Sequence, residues 1–422
     1  ILAEGYPQQV TEIPARVFAA AEAKSIRLFV EYPGALPGLT VGTPKPMRFA
    51  RVVIASDFFG EKLKKLRILA VHGLQLAPVN VERSHMVAAR VAGFDHAVYG
   101  LPAETAPILF QIPNRNVLVA TTKLSHFVTG RYAPQDAWRE IWRSILAWAT
   151  PAGSEPPPLR WTPAVRAAYD RQAPLAPGHQ REAIRRGRQW FDGSKMLVRS
   201  SGGEDAASPD GSLGSMEAVL SHIRHDGSQT ISSALRGDCI TETAMAHAFS
   251  SRLLQQDADA RIAKNLVDFY LFESPARKKE RGDPNHSAYG LIAWGVSSEA
   301  LLVANYGDDN ARLMLAVLAT AALTGDDRWD EAMMMCLLGN LRTAGRYGFR
   351  GGRIDVPQLN QRPWQSYFAG KIINRAPHYE CYLWACYLWA YEQTGWPLFL
   401  NRAETGLRMM MDEYPDGWRW TN

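Results

Sequence analysis

Three consecutive prolines, Pro156–Pro158, within TPAGSEPPPLRWTP (150–163) constrain this chain more than any other feature. A proline lacks the backbone N–H and crowds the preceding turn, so neither a helix nor a central strand runs through such a stretch. At 422 residues the chain is also too long for one ordinary core. It therefore divides into a first domain over 1–150, a linker over 151–177 and a second domain over 178–422.

The two flanks differ in pattern. Residues 1–150 alternate helical stretches with short, continuous apolar runs at Ile26–Glu31, Arg51–Ser56, Arg67–Val71, Ala97–Tyr99, Ile108–Gln111 and Asn116–Thr121. Runs of this kind, β-branched and bounded by Gly, Pro or Asp, suit strands buried on both faces of an α/β sheet. Trp138, Ile141, Trp142, Ile145 and Trp148 recur at helical spacing in Pro134–Ala149, which predicts an amphipathic helix closing the domain. The first residues, ILAEGYPQQV, read as a strand, not as a signal peptide. With no initiator Met, the chain is expected to begin inside a longer precursor, and its compartment is undetermined.

Beyond residue 178 the strand signal fades. Helices are expected near 180–192, 239–256, 258–273, 286–304, 309–324, 328–344, 377–394 and 397–413. Asp308 or Asp309 caps the helix that ends at Gly325, and Pro377 and Pro397 stand where first-turn prolines belong. Short connections imply antiparallel helix pairs. Longer loops, RGDPNHSAYG (281–290), RYGFRGGRIDVPQLNQRPW (346–364) and YPDGWRWTN (414–422), concentrate aromatic and polar groups. An exposed loop is expected over 200–215.

Charge and cysteines exclude several classes. The net charge is only +5, and RKKER (277–281), the densest basic cluster, reads as a solvated loop at a helix end. No nucleic-acid module is recognisable. No apolar run approaches the ~20 residues that a membrane span needs. Cys239, Cys336, Cys381 and Cys386 form no zinc-binding spacing and read as free thiols. No cofactor motif is present, since GFRGG (348–352) is too short for a dinucleotide fingerprint. Asp308, Asp309 and Asn310 lack the spaced ligands of a calcium loop and read as a helix start.

Three constellations carry possible chemistry. In Arg236-Gly237-Asp238-Cys239-Ile240-Thr241-Glu242, the four-residue spacing places Asp238 and Glu242 on one side of a helix, Cβ atoms ~5–6 Å apart. The plain alternative is an N-capping Asp with a Glu favoured by the helix dipole. In Pro377-His378-Tyr379-Glu380, Glu380 lines up with Trp384 along an aromatic face, while His378 lies about 200° away on a regular helix. The third comprises Asp283, Asn285, His286 and Tyr289, with turn chemistry as the alternative for Asp283.

The segments RGDCITETAMA, NHSAYG, YGDDNARLMLAVLATAALTGDDRW and APHYECYLWACYLWAYEQTG resemble the six-hairpin, (α/α)-toroid glycosidases and polysaccharide lyases. The resemblance covers a little over half the chain. The helices counted fall short of a complete toroid, so the ring is expected to be incomplete or the chain a fragment. The first 150 residues are similar to class I glutamine amidotransferase-like, flavodoxin-like accessory domains with a mostly parallel sheet. That chemistry needs a Cys nucleophile, and no Cys precedes Cys239. His72, His85, His96 and His126 are then structural, and the domain is expected to scaffold or to form a homo-oligomer.

Together these imply a carbohydrate substrate and hydrolysis by paired carboxylates. One carboxyl protonates the leaving oxygen while the other activates water or attacks carbon, with an inverting pair ~6.5–9.5 Å apart. The expected acid is Glu380, desolvated by aromatic neighbours. The expected base is Asp238, which should stay ionised near a helix N-terminus and Arg236, or else Glu242, and His378 is a further catalytic candidate. Arg236, Asp283, His286, Tyr289, Arg350, Trp364, Tyr379, Trp384 and Trp418 are the expected substrate contacts, with Tyr367 and Trp420 as further stacking rings. One alternative is a lyase on a uronate-containing glycan, using Tyr or His with Asn or Arg. The other is a glycan-binding or assembly protein without catalysis.

Overall fold

The computed structural model describes residues 1–47, 51–69, 74–126, 135–151, 153–159, 172–199, 208–220, 227–374 and 376–413. The chain divides into two compact units, 1–174 with 220–230, and 175–219 with 231–422.

The first unit is built on six strands, β1 (Leu28–Glu31), β3 (Arg51–Ile54), β4 (Ile68–Leu69), β6 (Met86–Ala89), β7 (Ala106–Gln111) and β8 (Val117–Ala120). Their order is β1-β8-β7-β6-β3-β4. A two-stranded ribbon, β2 (Lys45–Pro46) with β5 (Gln75–Leu76), stands apart from this sheet. Only β1 and β8 pair in parallel; the other neighbours are antiparallel. The expectation of a mostly parallel, flavodoxin-like sheet is thereby corrected. A parallel pair needs a long crossover, whereas β7 turns into β8 through 112–116, with Asn114 at φ 59°.

The expectation of strands buried on both faces holds, and this explains the misreading of direction. Alternate residues of β8 serve different cores. Leu118 and Ala120 join Val52, Ile54, Met86 and the ridge Trp138, Ile141 and Ile145 of helix α2 (Gln135–Ala149). Val117 and Val119 join Val30, Phe110 and Phe18, the last from helix α1 (Ala15–Ala23). Apolar runs record burial of both faces; strand direction leaves no mark on them. Residues 97–99 form a turn rather than a strand, with Tyr99 81% exposed. Residues 1–10 are turns and irregular backbone, and β6 was not anticipated.

The second unit is mainly helical. It contains α3 (His179–Ser194), α4 (Gly237–Leu254), α5 (Asp257–Asp268), α6 (Glu299–Leu302), α7 (Gly307–Thr324), α8 (Asp330–Thr343), α9 (Val356–Gln361), α10 (Trp364–Phe368), α11 (Pro377–Thr394) and α12 (Pro397–Glu413). Two small ribbons, β9 (Ala218–Val219) with β10 (Ile231–Ser232) and β11 (Ala304–Asn305) with β12 (Ile354–Asp355), tie its loops. Residues 286–298 are turns and irregular backbone, so the expected helix over 286–304 shrinks to α6.

Three consecutive hairpins, α4–α5, α7–α8 and α11–α12, make up the body. Helix α7 lies between α4 and α11, and its end at Gly325 takes a left-handed backbone that glycine adopts without cost. One core runs through all three pairs, from Ile240 and Leu266 through Met314 and Trp329 to Leu383 and Phe399. Glycine opens both α4 and α7 because each start is pressed against a large side chain. A Cβ on Gly237 would lie 2.5 Å from the Tyr270 ring, and one on Gly307 would lie 2.4 Å from Arg350 Cγ.

Candidate active site at the starts of three helices

The first residues of α4 and α7 meet, and α11 packs on α7. Arg236, the residue before α4, donates from Nη1 to Glu217 Oε1 at 2.7 Å. Its Nη2 reaches Asp238 Oδ2 at 3.1 Å and Asp309 Oδ1 at 2.5 Å. Arg312, one turn into α7, donates from Nη1 to Asp238 Oδ2 at 2.9 Å. It also forks onto Glu242, with Nε to Oε1 at 2.9 Å and Nη2 to Oε2 at 2.8 Å. The expectation that Asp238 and Glu242 share a helix side is met, since one guanidinium holds both.

Three carboxyl groups crowd this junction. Asp238 is 1% exposed and its Oδ1 is buried with no N–H or hydroxyl donor. Burial, and then the Asp309 carboxyl within hydrogen-bonding reach, push Asp238 up to about 7 against the pull of two arginines. Asp308, the neighbour of Asp309, is pushed up to about 6 by burial and by the Asp309 charge. Its Oδ1 is likewise buried without a donor. Two carboxylates at contact distance cannot both ionise cheaply, so such a pair holds a proton near neutral pH.

Aromatic rings border the group. The Arg236 guanidinium lies 4.9 Å from the centre of the Trp294 ring, which meets Tyr306 edge-on at 5.0 Å. Tyr379, from α11, has its phenol raised by burial and then by the charges of Asp308, Tyr306 and Asp309. The neighbouring His378 ring tilts against Tyr379, centres 4.3 Å apart. The structure thus brings Arg236, Asp238 and Glu242 into one group, with Tyr379 within electrostatic reach of Asp308 and Asp309 beside it.

Glu380 belongs to a different arrangement. It is fully buried, and Oε2 accepts the Arg350 N–H at 2.8 Å. Oε1 accepts the Gly351 N–H and the Asn374 side-chain amide, each at 2.9 Å. Burial pushes this carboxyl up to about 7 even though three N–H donors favour its charged form. Every donor comes from a loop, so Glu380 pins residues 350–351 and 374 onto α11.

Two expected substrate contacts are corrected by their burial. Trp384 is 2% exposed, donates Nε1–H to Gly348 O at 2.8 Å and lies against Gly406, where no side chain competes for the space. It is a core residue, because its face of α11 packs on α12. Arg350 is 1% exposed and donates to Asn305 Oδ1 at 2.6 Å. Its stem fills the space left by Gly307, so it braces the loop from within and does not reach a substrate.

The third constellation packs against α9 and α10. His286 bonds through Nε2 to Asn360 Oδ1 and accepts the Ala288 N–H at Nδ1, 3.0 Å. The Arg342 guanidinium lies 5.7 Å from the Tyr289 ring centre and 5.6 Å from that of Trp364. Asp283 is exposed and accepts the Asn285 N–H at 2.9 Å, as the turn reading anticipates. Trp418, Trp420 and His72 lie outside the described residues, as does the His126 side chain.

Sequence reasoning read Asp308 and Asp309 as a helix start and passed over Arg312, Trp294 and Tyr306. A signal for them exists. Gly-Asp opens both α4 and α7, and the residues four beyond each Asp, Glu242 and Arg312, are the two that form the fork. Among the described residues no group of three or more His, Cys, Asp or Glu is placed to hold a metal ion. No model of a known protein family matches the chain, and no curated protein matches it at a significant level.

Proposed function

We propose that this protein hydrolyses glycosidic bonds of an oligo- or polysaccharide where α4, α7 and α11 begin. The observation that carries the reading is the pair of carboxyls, Asp238 and Asp308, held above the usual carboxylate range on adjacent helix starts. A glycosidase needs a proton donor that survives near neutral pH and a second, ionised carboxyl. Asp238 and Asp309 are too close to stand on opposite sides of a sugar, for which ~5 Å or more is required. They act as one base that shares a proton, and its ionised member takes a proton from water. Asp308 is the acid that protonates the leaving oxygen. Trp294, Tyr306 and Tyr379 offer ring faces to the sugar.

The test is release of reducing ends from a glycan panel by the purified chain. Asp308→Asn and Asp238→Asn should each lower turnover by about 100-fold or more, the usual worth of a positioned acid or base. Near-normal turnover in both variants refutes the reading.

A lyase reading draws on one separate observation, the Arg342 guanidinium between Tyr289 and Trp364, a cation beside a phenol as uronate chemistry requires. Formation of an ultraviolet-absorbing unsaturated uronate from a polyuronate decides for it.

A further inference from the structure

The first unit contains a serine–histidine contact beside a cavity. Strands β3 and β6 run antiparallel with Ile54 opposite Met86, and the pairing continues as the Ala55 N–H donates to His85 O at 2.9 Å. The His85 N–H in turn donates to Leu109 O at 2.7 Å. The His85 backbone is therefore held on both sides. Ser56, one residue further on, meets it diagonally, with Oγ 2.9 Å from His85 Nδ1. The Phe58 ring stacks on the imidazole at 4.2 Å and 22°, which fixes its plane.

The tautomer of His85 sets the direction of the contact. Ser56 Oγ accepts the Phe58 N–H at 3.3 Å, and with the ring protonated at Nε2 the serine proton points at Nδ1. Burial lowers the affinity of His85 for a second proton, which keeps the imidazole neutral and able to accept. A neutral imidazole receiving a serine proton is the arrangement that activates a hydroxyl nucleophile.

Ser56 also lines a cavity of 750 Å³, within the range of small-molecule sites. Its wall combines apolar Val79, Val87 and Leu101 with polar Thr40 and Asn80 and with the charged Glu82 and Arg83. Such a wall suits a ligand with a small apolar part and a polar end.

We infer that Ser56 and His85 form a nucleophile–base pair that cleaves small carboxylic esters in this cavity. Ser56 Oγ attacks the ester carbonyl carbon as its proton passes to His85 Nδ1. The bond from that carbon to the alcohol oxygen breaks, and the alcohol leaves with the proton from His85. Water then adds to the acyl-serine by the same route, releasing the carboxylic acid and restoring the serine. Only water is consumed, and no oxidant, metal or cofactor enters. The inference is independent of the helical unit's proposed glycan chemistry.

The test uses the whole chain and a fluorophosphonate, followed by intact-mass measurement and peptide mapping, with p-nitrophenyl acetate turnover in parallel. The expected result is one adduct, on Ser56, absent in Ser56→Ala. His85→Asn places an amide where Nδ1 stood but supplies no base, so labelling and turnover should fall about 100-fold. Failure of the unaltered protein to label at Ser56, which needs no variant to fold, overturns the inference. Labelling of folded His85→Asn at the unaltered rate overturns it equally.

Discussion

Asp238 and Glu380 are both buried carboxyls in the first turn of a helix, and both are pushed up to about 7. They differ in what surrounds them. Glu380 receives three N–H donors that share out both its oxygens. Asp238 faces another carboxyl and keeps an oxygen without a donor. Burial and a raised pKa are therefore the same in a carboxyl that fastens a loop and in one poised to exchange a proton. The inventory of donors separates them, because a carboxylate whose two oxygens both already accept N–H donors is held in place, whereas one with a donorless oxygen still has an acceptor to offer.

The sharpest way to break this comparison is to measure activity and stability together. Asp308→Asn should abolish at least about 99% of glycan turnover while leaving the melting temperature within a few degrees of the unaltered chain. Glu380→Gln should do the reverse. Its new NH₂ must face an N–H donor, costing about 2 kcal/mol, read as a lower denaturant midpoint. If Glu380→Gln is as stable as the parent but inactive, Glu380 is the acid and the comparison is inverted.

An effect of comparable size is expected at Gly307. Alanine there drives a Cβ into the Arg350 stem and should cost about 1–3 kcal/mol in chemical denaturation, with turnover reduced as the junction shifts.

Proton linkage sharpens the same point. Asp238, Asp308 and Glu380 all have raised native pKa values, so these three groups bind more protons in the folded chain than in the unfolded one between about pH 4 and pH 7. Their contribution to stability is full below the unfolded carboxylate range and is lost as pH rises through about 6 to 7. Denaturant midpoints should fall over that interval, and less steeply in Asp238→Asn. Turnover should fall above about pH 6 as Asp308 loses its proton.

The smallest expected effect is at the fork. Glu242 and Arg312 are partly exposed, so a double-mutant cycle should give a coupling of about 1 kcal/mol or less.

Much of the helical unit was legible in the sequence because apolar spacing and end signals coincide. Pro377 and Pro397 begin α11 and α12 where expected, and Gly325 ends α7. The segment over 286–298 misled because Ala288, Leu291 and Ile292 have helix-like spacing yet are buried by turns and by the Asn310 side chain, which accepts the Ile292 N–H. In the first unit the strands were visible but their pairing was not, since side-chain pattern records which faces are covered and not which neighbour runs which way. The site was half visible. Arg236, Asp238, Glu242 and Tyr379 could be singled out by type and position. Asp308 and Asp309 read as ordinary helix-start acids until a third helix was brought against them.

The one parallel pairing in the sheet also bears on the order of assembly. Every antiparallel neighbour in it is joined by a comparatively short connection, whereas Leu28 pairs with Val117 across all the intervening strands. Closing that long loop costs the most chain entropy of any pairing in this sheet. The hairpins from Arg51 to Ala120 are thus the natural nucleus of this unit, and β1, with α1 beside it, docks onto a surface already made.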